Sequence, residues 1–362
     1  MAPLGWKEKL FQHYLAWVCR PARLKKHLRS QLPPRRRPVP VDRRRIRTAA
    51  IQLELKLFKG PFDYVDEMHR RTREAADRGA QLVVFPEYNN LPLFGMLPGI
   101  EKMEEASRDK DTGKEAAAES SREEIILPDL YRYMSPVVKP LVHTVFSSLS
   151  AAYGLYIMAG SYILADNGEI VNRSFLYGPS GELVGNQDKV HLLPVEADWQ
   201  VKRGSSFPVF ETPLGRLAMP VCMDATYYET FRILEYSGAE IALLPIANLQ
   251  EYNFWLALRG IWPRVQECPL FGVKGALVGS VAGFTFTGRA GIFAPLEITP
   301  NRDGVLAEVE PFDREAMVVA DLDLKALEQL RSNHPWRDTN PALYRKYFPQ
   351  IYRPGGRDMG TV

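Results

Sequence analysis

Cysteine is scarce in this 362-residue chain, and its three copies, Cys19, Cys222 and Cys268, lie far apart. An odd, dispersed set does not build the disulfide framework of a secreted domain, and none of the three has zinc-ligand spacing. A reducing, cytoplasmic compartment is the expectation. Long apolar runs are missing too. No stretch of about 18 uninterrupted apolar residues exists, which excludes a membrane-spanning helix. The apolar segment from Leu10 to Cys19 is broken by Gln12 and His13. Pro21 and further bases follow it in place of a small-residue cleavage site, so it does not read as a secretory signal. Acid is nearly absent from one place only. Residues 1–47 carry fourteen Lys and Arg against Glu8 and Asp42, a net +12. The whole chain carries +3, so the remainder is acidic at −9. A basic arm on an acidic body calls for two explanations.

What is present is the composition of a globular enzyme, 46% hydrophobic and 25% charged. A chain of this length can bury a sizeable core without a metal or disulfide staple. In the arm, residues 1–46, a helical wheel gathers Trp6, Leu10, Tyr14 and Trp17, extended by Phe11, Leu15 and Val18. Leu24, Leu28 and Leu32 then recur every fourth residue beside Lys25, Lys26 and Arg29. Pro33, Pro34, Pro38 and Pro40 alternate with Arg35, Arg36 and Arg37, an extended linker not expected to pack. Nucleic-acid binding would use only the charge, and packing in an oligomer only the apolar face. An anionic membrane surface would use both, and peripheral membrane association is the expectation.

The body, residues 47–362, alternates strand and helix patterns. Thr48–Leu55 reads as a strand, Phe62–Arg78 as a helix ended by Gly79, and Gln81–Phe85 as a short strand stopped by Pro86. Residues 96–135 are polar; between Glu101 and Glu124 nine acids face five bases. This stretch reads as an exposed acidic excursion, part helix and part loop, and either a lid over the site or a solvated surface loop. Strands are expected at Leu155–Ile163, Arg216–Val221 and Ile241–Leu244, with short ones through 275–320. Helices are expected at Tyr227–Tyr236 and Leu324–Arg331. Such alternation argues a layered α/β domain.

Three segments carry chemistry. Met219-Pro-Val-Cys222-Met-Asp224 puts a cysteine between a strand and a helix, where helix-end N–H groups would lower a thiol's pKa. Cys19 and Cys268 have no such setting and read as packed cysteines. Val83-Val-Phe-Pro-Glu87 puts a carboxylate at a strand's C-terminal end, where α/β sites form and burial suits an acid to general-base work. Lys189-Val-His191-Leu-Leu-Pro-Val-Glu196 sets a lysine among apolar neighbours with a glutamate seven residues on.

Taken together, these segments resemble the nitrilase superfamily of carbon–nitrogen hydrolases, from about Arg47 to about Tyr344. The connecting runs Asn172-Arg-Ser-Phe-Leu, Gly181-Glu-Leu-Val-Gly185 and Phe207-Pro-Val-Phe-Glu-Thr-Pro-Leu-Gly-Arg agree, as does Glu229. The resemblance implies a four-layer α-β-β-α sandwich, a homodimer or larger homo-oligomer, and no metal or organic cofactor. It assigns Cys222 as nucleophile, Glu87 as base, Lys189 with the Met223 N–H as oxyanion hole, and Glu196 as the group orienting the lysine. His191 reads as a packed histidine. Thr226 stands where related carboxylate-binding amidases have Arg, so Thr226, Tyr227 and Tyr228 are expected to line a less charged substrate pocket. Asp188 stands where bases are more usual. Cys-Met-Asp is nearer the amidase and carbamoylase branches than true nitrilases. The implied reaction is hydrolysis of a small-molecule amide or carbamoyl compound through a cysteine thioester. Nitrile hydrolysis or acyl transfer through the same thioester, and a non-catalytic scaffold, are the alternatives.

Overall fold

The computed structural model describes residues 6–100, 126–257, 259–281, 283–333 and 340–352. The first strand, β1 (Ile46–Glu54), organises the body. Its side chains alternate as a strand's must. Ala49, Ile51 and Leu53 enter a core shared with helices, while Ile46 and Ala50 enter a second core between sheets. After helix α1 (Trp6–Val18), α2 (Pro21–Arg29) and β1 come α3 (Pro61–Asp77), β2 (Leu82–Val84), α4 (Ile126–Tyr153), β3 (Tyr156–Asp166), β4 (Glu169–Tyr177) and β5 (Leu183–Asp188). These strands lie in the order β5-β4-β3-β2-β1, with α3 and α4 on the outer face.

The second half follows with β6 (Val201–Lys202), β7 (Val209–Thr212), β8 (Gly215–Ala218), α5 (Tyr228–Tyr236), β9 (Ile241–Ile246), α6 (Ile261–Glu267) and β10 (Phe271–Val281). Short strands β11 (Phe284–Phe286), β12 (Gly291–Phe293) and β13 (Val305–Glu308) precede β14 (Ala316–Leu322) and α7 (Leu324–Asn333). The order here is β10-β9-β8-β7, with β12 on the other side of β10 and β13 on β12. Both halves meet at β1, whose Gln52–Glu54 pair in parallel with Ala276–Val278 of β10. Ala50, Leu82, Val84, Met158 and Leu176 of the first half pack with Leu217, Ala218, Leu243 and Val273 of the second. Phe231, Leu234, Ile261, Val265, Leu324 and Leu327 close the far side. The architecture is therefore the expected α-β-β-α sandwich.

Two stretches depart from the sequence reading. Most of the acidic excursion, residues 101–125, lies outside the described residues. From Ile126, however, the chain is not an exposed excursion but the start of the 28-residue α4. Tyr131, Met134 and Ser135 are already buried there, because α4 packs along β3 and supplies the outer layer of the first half. The proline-arginine linker also packs. The Arg36 N–H donates to the Ala152 carbonyl at 2.8 Å, and its guanidinium pairs with Asp77 at 3.2 Å. Gly154, at φ +66°, leaves room for the backbone of Arg36 and Pro38. Helix α2 meanwhile sinks Leu24 and Leu28 completely into the first core, burial worth about 1.5–3 kcal/mol for each leucine. No helix among the described residues is long and apolar enough to cross a membrane.

Candidate active site

Glu87 follows β2, Lys189 follows β5 and Cys222 follows β8, so the site forms where strands of both halves end. A bulge in β3 between Met158 and Ser161 shapes the first of these positions. There Gly160, at φ +83°, passes so close to the Pro86 carbonyl that no Cβ would fit. The Ser161 N–H donates to that carbonyl at 3.2 Å, and the Asn89 N–H donates to the Ser161 carbonyl at 2.9 Å. Gly204 plays the same part at the lysine, where its N–H donates to the Lys189 carbonyl at 2.7 Å. Asp188, the unusual acid before the lysine, makes a two-pronged pair with Arg173 at 2.6 and 2.9 Å.

Lys189 is completely buried between two completely buried carboxylates. Its Nζ lies 2.9 Å from Glu87 Oε1 and 2.7 Å from Glu196 Oε2. The Asn172 side-chain amide donates to both acids, at 2.9 Å each. Glu196 also accepts from the Tyr88 hydroxyl at 2.8 Å and from the Leu193 N–H at 2.9 Å. Burial favours a neutral lysine, yet the charges of Glu87, Cys222 and Glu196 outweigh it and hold the ammonium above its ordinary pKa. Burial pushes Glu87 the other way, to about 7, against the lowering pull of Lys189. Among the described residues Glu87 Oε2 has no hydrogen-bond partner.

Cys222 is partly exposed and its backbone is left-handed, with φ 43°. Such a conformation is strained for a residue with a Cβ and persists only where the surroundings impose it. The thiol points toward Asn248 Oδ1 at 3.8 Å. Its pKa corrects the sequence reading. A thiol lowered by a helix N-terminus was expected, but Cys222–Thr226 is a short 3-10 turn and α5 begins only at Tyr228. Burial, and then the charge of Glu87, push the thiol well above its ordinary range. The thiol thus keeps its proton until a base removes it, and the neighbouring carboxylate titrates near neutrality.

The structure brings Glu87, Lys189, Glu196 and Cys222 together, with Met223 next in the turn. Thr226, Tyr227 and Tyr228 sit further out. The Thr226 carbonyl accepts from Arg264, and Tyr228 lies beside the Arg232 guanidinium. Tyr227 stacks on His191 with ring centroids 4.2 Å apart. Glu229 accepts from the Tyr352 hydroxyl. Beside Glu196 stands an aromatic wall. Tyr88 packs edge-on against Trp199 and Phe286, and Trp199 in turn meets Tyr131 and the half-exposed Phe284.

Sequence reasoning gave no role to two buried residues that hold the site, Asn172 and Asp224. Asn172 lies in β4, where asparagine is disfavoured, and that misfit was the available signal. Asp224 ties the Cys222 turn to the lysine loop by accepting from the N–H groups of Val221 at 2.8 Å and His191 at 2.7 Å. Its place in the Cys-Met-Asp run was the available signal, although no role was read from it.

Comparison with known proteins shows what the chain is similar to. The chain is 24% identical over 293 residues to the "Probable hydrolase YhcX" of Bacillus subtilis (strain 168), a match covering 80% of this chain and 52%, about half, of that one. It is 24% identical over 308 residues to omega-amidase NIT2 of Homo sapiens, covering 82% and 96%. Among solved structures, a double mutant of the amidase from Nesterenkonia sp. AN1 in complex with acrylamide superposes with TM-score 0.60 at 19% identity, covering 85% and 99%. Another mutant of that amidase, showing covalent addition of the acetamide moiety of fluoroacetamide at the active-site cysteine, gives TM-score 0.59 at 18% identity, covering 85% and 99%. The carbon-nitrogen hydrolase family model matches residues 47–260. With more than half of its length matched and with the sandwich fold in place, the chain belongs to the carbon-nitrogen hydrolase family.

Proposed function

We propose that the protein hydrolyses the C–N bond of an amide or carbamoyl compound through a thioester on Cys222, releasing ammonia or an amine. The carrying observation is Lys189, held at 2.9 and 2.7 Å between Glu87 and Glu196 beside a thiol that retains its proton. Glu87 takes the thiol proton and the sulfur attacks the carbonyl carbon, forming the C–S bond. Negative charge then develops on the carbonyl oxygen, where Lys189 Nζ and the Met223 N–H stabilise it; one such donor is worth about 100–1000-fold in rate. As the tetrahedral adduct collapses, the C–N bond breaks and protonated Glu87 passes its proton to the departing nitrogen. Glu87 then takes a proton from water, whose oxygen attacks the thioester carbon; the C–S bond breaks, Glu87 returns that proton to the sulfur, and the carboxylic acid leaves.

Glu196 acts through Lys189, fixing its Nζ and balancing its charge. Because Glu196 is itself held by Asn172, Tyr88 and Leu193, the ammonium has one place to be. The wall of Tyr88, Tyr131, Trp199, Phe284 and Phe286 favours an acyl group that is uncharged and apolar. Incubating the pure protein with aliphatic, aromatic and carboxylate-bearing amides tests the reading, with ammonia release and intact-protein mass as readouts. Turnover of neutral amides with a transient acyl mass supports it. Release from none of them, with no acyl-enzyme, rejects it.

A further inference from the structure

Helix α1 divides its apolar residues between two destinations. Leu15 and Val18 are buried and Phe11 is half-buried, all in the core that includes α4. The Tyr133 hydroxyl, on α4, donates to the Glu8 backbone carbonyl at 2.9 Å and fixes the outer end. Trp6, Leu10, Tyr14 and Trp17 take the other destination. At 72%, 65%, 54% and 49% exposure they form one continuous stripe in solvent, spaced i, i+4, i+8 and i+11. Aromatic surface of this extent, on a helix already anchored by its opposite face, is not needed to hold the fold.

The stripe has a basic surround. Arg23 stacks its guanidinium 3.8 Å from the Trp17 ring centroid, and Lys7 lies 5.6 Å from that of Trp6. Between Trp6 and Leu32 seven bases face one acid, Glu8. Among the described residues, no ion pair engages Lys7, Lys9, Arg20, Arg23, Lys25, Lys26 or Arg29. Aromatic rings flanked by uncompensated cations match one partner best, the interface of an anionic bilayer. There Trp and Tyr settle at headgroup level and each nearby Lys or Arg meets lipid charge. A second copy of α1 would cover the rings but bring two basic surfaces together. A polyanion such as nucleic acid would leave the aromatic stripe without a role.

We propose that α1 and α2 form a fixed docking surface for anionic membrane lipid, with Trp6, Leu10, Tyr14 and Trp17 entering the interface and Lys7, Lys9, Lys25 and Lys26 contacting headgroups. Because Leu15, Leu24 and Leu28 belong to the main core, the surface moves with the enzyme as one body, and deleting the arm would open that core.

The test therefore uses the full chain. Wild type, Trp6→Glu with Trp17→Glu, and Lys25→Glu with Lys26→Glu are sedimented with phosphatidylcholine vesicles, with and without phosphatidylglycerol. Light scattering reports the oligomer, and a soluble amide reports the fold. Wild type is expected to pellet only with anionic vesicles and to release as salt rises. Both variants should bind about tenfold or more weakly while keeping oligomer size and soluble turnover. Binding that ignores lipid charge, or that both variants retain in full, overturns the proposal. So does dissociation of the oligomer by the Trp variant with vesicle binding unchanged, which would make the stripe a contact between copies.

Discussion

Asp224 holds His191 twice. Its Oδ1 accepts from the His191 backbone N–H at 2.7 Å and lies 2.8 Å from the same residue's Nδ1. With the Val221 N–H on its other oxygen, this buried carboxylate fastens the lysine loop to the turn that bears Cys222. Asp224→Ala should therefore separate oxyanion donor from nucleophile as well as loosen the fold. Loss of charge-assisted hydrogen bonds here should lower stability by about 1.5–3 kcal/mol. Denaturant unfolding checks this, and kcat should fall further than KM rises. Unchanged kcat in a folded variant would remove Asp224 from the positioning role.

Cys222→Ala and Cys222→Ser should abolish turnover with the fold retained. Intact mass and peptide mapping should place the acyl group on Cys222 alone. Cys19 and Cys268 are buried, and that burial pushes both thiols up to about 12, which leaves them unreactive near neutrality.

Lys189→Ala should cost about 100–1000-fold in kcat through loss of an oxyanion donor. It should also destabilise the protein by about 3–5 kcal/mol, because two buried carboxylates lose their shared cation. Activity assays and thermal unfolding separate the two effects. A substantial loss of kcat without any loss of stability would contradict the buried charge arrangement.

The pH profile follows from the Glu87 carboxyl, raised by burial to about 7. Its working form is the ionised one, so kcat/KM should fall as pH drops through an apparent value near 7 and level off above it. That limb belongs to the coupled group of Glu87, Lys189 and Cys222. Glu87→Gln should erase the limb and slow alkylation of Cys222 by iodoacetamide at neutral pH. An acid limb that persists unchanged in Glu87→Gln would assign it elsewhere.

Much of the body was legible because its signals are local. The strand at Thr48–Leu55 appears as Ile46–Glu54, and the helix at Phe62–Arg78 as Pro61–Asp77. The helix carries strong periodicity bounded by Pro61 and Gly79, the strand is a short run rich in apolar residues, and such local patterns survive tertiary packing. Helix α4 was not read from its sequence: Pro136 and Pro140 each remove a backbone donor, and packing against β3 overrides that cost. In the arm, the wheel found one apolar face but could not divide it. Which residues were buried depended on where α4 lay.

The sequence by itself determined the family resemblance and the residues that carry it: a carboxylate and a cysteine each following an expected strand, and a lysine in a motif of its own. Strand ends are set by nearest neighbours, so short motifs suffice to place them. Only the tertiary structure decided the charge states, since these depend on burial and on groups distant in the chain. Lys189 and Glu87 are 102 residues apart, and Tyr88 reaches Glu196 across 108. Desolvation between two sheets raises the thiol that a helix end was expected to lower, which is why the proposed reaction calls on the buried carboxylate as its base.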